Sequence, residues 1–286
     1  MSPSQTDRLV GRFLGSLAWC SAGITLLIVV WVGVRAFPAF QDPGVAPLFS
    51  DERWLPGSER EPQFGMVPIL VGSVLVTLVA LLPAVLVGVL CAIFQQFYAP
   101  AWFSGVLRKV LELLAGIPSV VIGFWGLVVV VPLIQKFQSP GQSLLAAGVV
   151  LALMILPTIA ITAQSALQGL PKTLYAGAAA LGVARPRMIL QLALPAARSG
   201  IGAGVVLGAA RAIGETMAVI MVCGNIPEIP SSLFDPVRPI TATIALEMGY
   251  ATEGHRGVLF AAGFILVLFV GALAAWVAFS QKGGEE

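Results

Sequence analysis

Residues 200–222 read GIGAGVVLGAARAIGETMAVIMV. About 20 apolar residues carry a helix across the hydrocarbon of a bilayer, so the segment 201–222 is predicted to span one. It nevertheless holds Arg211 at its midpoint and Glu215 one helical turn further on, about 6 Å along the axis. An arginine at that depth costs about 2.5–3.5 kcal/mol on insertion scales, and such residues face a protein interior or a water-filled cavity. The i, i+4 spacing lets Arg211 and Glu215 pair. At about 100° per residue, Gly200, Gly204, Gly208, Arg211, Glu215 and Ala218 share a stripe roughly 80° wide. Glycines four apart, such as Gly204 and Gly208, admit a neighbouring backbone, so the stripe is expected to be a helix-packing interface. Two readings follow. The ion pair locks this helix to a neighbour, or it lines a charged pathway. A guanidinium suits the second, because its planar fork bonds two oxygens of a tetrahedral oxyanion and stays charged at any relevant pH.

Five further stretches have the same character: 13–34, 66–94, 113–135, 144–167 and 257–279. Arg12 and Arg35 bracket the first, whose length and lack of a small-residue cleavage site mark an anchor rather than a removed signal peptide. Pro83, Pro118, Pro132 and Pro157 fall inside spans, where prolines are tolerated and kinks are expected. Alternation with period two is absent, which argues against a barrel. With 58% hydrophobic and 10% charged residues and a mean hydropathy of +0.94, the 286 residues read as one all-α integral membrane domain of six transmembrane helices.

Charge placement orients it. Arg8, Arg12, Arg108, Lys109, Lys172, Arg185, Arg187, Arg198 and Lys282 fall on one side, and Arg35, Arg53, Arg60, Lys136, Arg238 and Arg256 on the other. The richer side is predicted to be cytoplasmic, with both termini there. Asp42, Asp51, Glu52, Glu59, Glu61, Glu228, Asp235, Glu247 and Glu253 all fall on the outer side. The outer loops are expected at about 35–65 and 224–256.

Several chemistries drop away. His255 is the sole histidine, too little for a histidine metal site or a Ser/His/Asp triad. Cys20, Cys91 and Cys223 have no ligand-like spacing and read as packing residues. Nucleic-acid binding has no support in a chain of net charge +2. None of the four lysines follows a glycine, so there is no phosphate-cradling GxxxxGK[ST] loop and any ATP is handled by another subunit.

The inner loop 168–199, QGLPKTLYAGAAALGVARPRMILQLALPAARS, is too long for a turn. Ala and Leu favour a helix over 174–181, Gly182 stops it, and Pro186 starts a second. Such a hairpin docks on a soluble partner or lies on anionic headgroups.

This loop resembles the EAA loop of ABC-importer permeases: Glu-Ala-Ala, three residues, Gly, nine residues, then aliphatic-x-Leu-Pro. Gly182 and Leu192-Ala193-Leu194-Pro195 fit the spacing, while the triplet falls on Ala176, Gly177 and Ala178, so the family's glutamate is missing. RAIGETMAVIMVCGN from Arg211, ELLAGIPSVVIGFWGL from Glu112, LFSDERWLP from Leu48 and FGMVPILVGSVLVT from Phe64 resemble the permeases of phosphate importers, most of all the PstC type. Sulfate and molybdate permeases carry a similar Arg-x-x-Gly-Glu segment followed by Phe, where this chain has Thr216. The resemblance implies a type I ABC importer permease fold with cytoplasmic coupling helices in a bacterial inner membrane. Its implied partners are a second permease of the PstA type, two ATPase subunits of the PstB type that bind ATP and Mg, and an extracytoplasmic phosphate-binding protein of the PstS type. It implies that 168–199 couples to the ATPase and that Arg211, Glu215, Thr216 and Ser119 line the substrate path. Gly116 and Pro118 mark a break beside Ser119 that serves either the path or packing alone.

Three rivals stand beside phosphate import. A stand-alone secondary transporter needs intramembrane carboxylates, and Glu215 is the only acidic residue in any span. A permease for another oxyanion is separated by Thr216 and the family likeness. A scaffold without transport predicts that neutralising Arg211 leaves uptake intact.

Overall fold

The computed structural model describes residues 5–50, 53–58 and 62–282. Asp51, Glu52, Glu59, Arg60 and Glu61, counted above among the outer-side charges, lie outside the described residues. Helix α1 (Gln5–Ala39) leads through Asp42, which leaves helical geometry, into α2 (Val45–Ser50). A two-stranded antiparallel hairpin follows, β1 (Trp54–Leu55) with β2 (Gln63–Phe64). Then come α3 (Val67–Phe97), α4 (Ala101–Gly116), α5 (Ser119–Gln135), α6 (Leu144–Gln168), α7 (Lys172–Ala180), α8 (Arg185–Gly214), α9 (Met217–Val222), α10 (Ile240–Glu247) and α11 (Glu253–Lys282). Among the described residues, five helices are long and apolar enough to cross a membrane, and the bent pair α4–α5, counted as one span, makes six.

Two expected spans are corrected. The third, drawn over 113–135, is not one helix: residues 113–116 end α4, and α5 leaves at 94°. Pro118 has no N–H and bars helical geometry from its predecessor; Ile117 accordingly sits at φ −68, ψ 130. Helix α4 packs against α6, with Leu111 its buried residue. The fifth, drawn over 201–222, begins at Arg185, stops at Gly214 and resumes only at Met217. The long inner loop thus shrinks to α7 and a turn, where Gly182 takes φ +68, a value that suits glycine. Nor is the outer segment 224–256 all loop, since it holds α10 and the start of α11. Cys223 is buried, whereas Cys20 is exposed on α1 rather than packed.

Helix α6 is the centre of the bundle. Leu151, Ile155, Ile159, Ala160, Ala163 and Leu167 along it are sealed from the surroundings. Lipid gives helices no hydrophobic reason to associate, so contact must come from close packing. Glycine supplies it on both flanks. A Cβ at Gly200 would fall 2.5 Å from Ala166 Cβ, one at Gly204 2.9 Å from Thr162 Cβ, and one at Gly208 3.0 Å from Ile159 Cδ1, so successive turns of α8 rest on successive turns of α6. From the other side, Gly88 of α3 brings its backbone against Ile159 and Ala160. Helix α1 packs on α11, with Trp31 edge-on to Phe260 at 5.4 Å.

The N-terminal N–H groups of a helix have no partner within it. For α6 the 222–235 segment supplies carbonyls: Ser143 N–H donates to Val222, Leu144 to Asp235 and Leu145 to Leu233, at 2.8–3.0 Å. Ser143 Oγ accepts from Ala146 N–H. Asp235 braces this segment by accepting from the Ser231 hydroxyl and the Ser231 and Ser232 N–H groups, which hold its carboxyl below the ordinary value. The brace is therefore complete above the ordinary carboxylate range and is lost as pH falls through the lowered value.

Gly204→Leu must push α8 off α6 and is expected to destabilise by about 1–3 kcal/mol, read as a lower thermal midpoint in detergent. Gly202→Ala is the control, since a Cβ there meets nothing within 4 Å. Equal midpoints for the two variants would contradict the packing scheme.

Candidate functional site

The two helix interruptions lie side by side. Gly123 of α5 approaches Ala218 of α9 so closely that a Cβ would fall 2.6 Å from Ala218 Cα, and Gly126 meets Val222. The two segments therefore run parallel at a near-constant offset. The break at Ile117–Pro118 and the break at Glu215–Thr216 then fall within about one turn, roughly 5 Å, of the same level. Broken backbone at membrane depth is tolerated where it is buried in protein or lines a water-filled cavity.

Arg211 sits in the last turn of α8, exposed, with no hydrogen bond or ion pair among the described residues. The expected pair with Glu215 does not form. Glu215 takes an extended conformation at φ −71, ψ 130, and its Oε1 accepts from the N–H groups of Thr216 at 3.2 Å and Ala218 at 3.3 Å, closing the start of α9. Its backbone carbonyl accepts from Thr241 Oγ1 at 2.8 Å, which ties the break to α10. Glu215 is thus a cap, and the cation one turn earlier is left uncommitted. Thr216 Oγ1 makes one long bond, 3.4 Å, to the Gly214 carbonyl. Ser119 opens α5 at the other break, and its hydroxyl has no partner among the described residues. Arg211, Thr216 and Ser119 thus place a guanidinium and two little-used hydroxyls around the breaks, a donor set matched to an oxyanion.

The glycines at 200, 204 and 208 face α6, so that part of the stripe is packing rather than pathway. In α7, Ala178 is buried while Ala176 and Gly177 are exposed. Gly182 turns the chain. Leu192, Leu194 and Pro195 lie within the continuous α8. Leu181 at the tip of the hairpin is 83% exposed.

The sequence reading missed a buried polar cluster at the opposite end of the bundle. Glu247, 3% exposed, accepts from Trp54 Nε1 at 2.9 and 3.1 Å and from Arg238 Nη1 at 2.6 Å. His255 Nε2 lies 2.9 Å from its other oxygen. Arg238 Nε also donates to the Asn225 carbonyl at 2.7 Å. One carboxylate therefore clasps β1, α10, α11 and the 223–239 segment. Beside this clasp opens a cavity of about 870 Å³, lined by Phe49, Arg53, Trp54, Leu55, Pro227 and Glu228 among others. The only hint in the sequence was a histidine eight residues from a glutamate. Among the described residues, no three His, Cys, Asp or Glu side chains gather as a metal site would require.

Residues 84–282 match the family described as "Binding-protein-dependent transport system inner membrane component". The chain belongs to that family. The permease is 40% identical to the probable ABC transporter permease protein YqgH of Bacillus subtilis, over 92% of this chain and 87% of that protein. It is 34% identical to the phosphate transport system permease protein PstC of Xylella fastidiosa, over 88% and 81%. Among solved structures, a bacterial ABC transporter for import of the acidic polysaccharide alginate aligns at TM-score 0.59 and 14% identity, over 96% of this permease and 98% of that chain. The MetNI methionine ABC transporter aligns at 0.56 and 18%, over 77% and 94%. The fold is that of type I ABC importer permeases.

The capping role of Glu215 has a direct consequence. Glu215→Gln keeps an oxygen that accepts from Thr216 and Ala218, so this permease variant is expected to hold its thermal midpoint within about 0.5 kcal/mol, whereas Glu215→Ala loses about 1 kcal/mol. Equal losses would contradict the cap. At the clasp, Arg238→Met takes the guanidinium from a buried carboxylate and leaves it Trp54 and His255 alone, which is expected to cost about 3 kcal/mol; an unchanged midpoint would contradict that burial.

Proposed function

We propose that this permease carries inorganic phosphate into the cytoplasm as one half of a two-permease importer. The observation that carries the reading is the free Arg211 guanidinium at the level of two adjacent helix breaks. It is supported by the relatives named as phosphate transport permeases. Arg211 is the phosphate contact, Thr216 and Ser119 add hydroxyl donors, and Glu215 holds the geometry of the break. Phosphate crosses the apolar layer only if its charge is met by donors on the way, and a guanidinium without a competing carboxylate is free to meet it.

The remaining parts follow from the same reading. A second permease of the PstA type completes the path, which one chain only half encloses. Two ATPase subunits of the PstB type bind ATP and Mg and seat on the exposed face of the α7 hairpin. A phosphate-binding protein of the PstS type docks on the other face, where the acidic outer segments suit a protein that delivers its ligand enclosed. The hairpin end with α7 is cytoplasmic, as are both termini, in line with the excess of Lys and Arg on that side. ATP binding closes the ATPase pair, and the motion opens the path alternately to each face.

The test is ATP-dependent uptake of labelled phosphate, with sulfate as control, in vesicles holding the complete complex. Arg211→Ala is expected to lower phosphate uptake by at least about a hundredfold, equivalent to about 3 kcal/mol for a charge-assisted contact, with assembly intact. Wild-type uptake by that variant would assign Arg211 a structural role. Sulfate uptake equal to phosphate uptake would move the substrate to another oxyanion.

A further inference from the structure

Among the described residues, two side-chain hydrogen bonds leave the α7 hairpin for the membrane helices, and both end on helix C-termini. Arg185 Nη1 donates to the carbonyl of Phe97, the last residue of α3, at 3.2 Å. Tyr175 Oη donates to the carbonyl of Leu167, in the last turn of α6, at 3.0 Å. Aromatic contacts reinforce both: the Arg185 guanidinium lies 5.8 Å from the Tyr98 ring centre, and Tyr175 meets Phe97 edge-on at 5.7 Å. Carbonyls in the last turn of a helix lack intrahelical partners and carry the negative end of its dipole. Neither α3 nor α6 has a basic residue of its own in that turn. Arg185 supplies α3 with one from a different part of the chain.

Position makes this contact more than a cap. Arg185 is the first residue of α8, and Arg211 lies 26 residues further along the same helix, about 39 Å at 1.5 Å per residue. Helix α3 packs along the central α6. Outward from Arg185 the hairpin presents Ala176, Gly177, Ala179, Ala180 and Leu181, all exposed and none needed for the contact with α3. The surface open to a soluble partner and the attachment to α3 are thus separate sets of residues.

We propose that Arg185 is a transmission residue: it fastens the partner-facing hairpin to the cytoplasmic end of α3, so that a push on α7 moves α3 together with α8 rather than α8 alone. This rests on the reading of the hairpin as the ATPase seat. Without the contact, the ATPase still docks and turns over on the exposed face, but only α8 follows it, and the two sides of α6 no longer shift in step. Tyr175 makes the matching attachment to α6, closer to the hairpin's own base.

The experiment uses the complete complex in vesicles and measures ATP hydrolysis and phosphate uptake in the same sample, with retention of the ATPase subunits checked on purification. Arg185→Ala is expected to lower phosphate moved per ATP by about tenfold, the scale of one charge-assisted hydrogen bond, while hydrolysis and subunit retention stay near wild type. Arg185→Lys restores most of the ratio, because an ammonium also donates to the Phe97 carbonyl. Tyr175→Phe, which keeps the ring against Phe97, lowers the ratio less. An unchanged ratio in Arg185→Ala overturns the proposal, and so does a parallel fall in hydrolysis and uptake, which would place Arg185 in docking instead. Failure of the wild-type chain to retain ATPase subunits would overturn the docking reading itself, and the link with it.

Discussion

The backbone-close contact of α6 with α8 and α3 is the constraint on which the rest of the molecule depends. In lipid a helix gains nothing by hiding apolar side chains from the surroundings, so a bundle holds together only where backbones approach and van der Waals contact is dense. Gly200, Gly204 and Gly208 bring α8 down onto Ile159, Thr162 and Ala166, and Gly88 brings α3 onto Ile159 and Ala160. With α6 held on both sides, the short segments α5 and α9 have a fixed wall to lie against, as Gly126 does against Val150. That wall lets two helices break at the same level without the bundle opening. The cost of the irregular backbone is met locally, at α9 by the Glu215 carboxylate and by Thr241 on its carbonyl.

Function follows from what the breaks leave over. A carboxylate spent on backbone N–H groups is not available to an arginine, and Arg211 stands in the last turn of α8 with no partner among the described residues. An Arg–Glu pair at this depth would be closer to neutral and would hold an anion weakly. The division of labour also explains why the two ends of the bundle differ. At one end a buried carboxylate, Glu247, gathers Trp54, Arg238 and His255 into a fixed clasp. At the other, two side-chain hydrogen bonds and the buried Ala178 hold the hairpin of α7, whose outer face is exposed. The first arrangement holds a shape; the second is the one we propose passes on a movement.

Much of the architecture was legible in the sequence because one physical requirement, about 20 apolar residues per crossing, acts locally. The glycine stripe of α8 could be read the same way, since four-residue spacing on a helix fixes a face. What could not be read depends on distant groups. Pro118 announces a change at Ile117, but neither the 94° turn nor the packing of α4 on α6 can be read from it. Nothing in RAIGETMAV forbids a helix through Glu215, whose spacing from Arg211 favours a pair. At the break Thr241, 26 residues away, takes the Glu215 carbonyl, a contact no local pattern reports. The clasp joins Trp54 to Glu247 across 193 residues, a separation no local pattern reports. The same applies to Arg185 and Phe97, 88 residues apart.

Transport by this route requires that the paired breaks face the path. The most direct measurement is the reaction of Thr216→Cys with a charged, membrane-impermeant thiol reagent, in an active complex in which Cys20, Cys91 and Cys223 are replaced. Modification is expected from one face without nucleotide and from the opposite face when ATP is trapped, slowed by phosphate in both states. A cysteine at 216 that stays unreactive from both faces in a complex that transports phosphate would place the breaks inside sealed protein, and the central claim would be wrong.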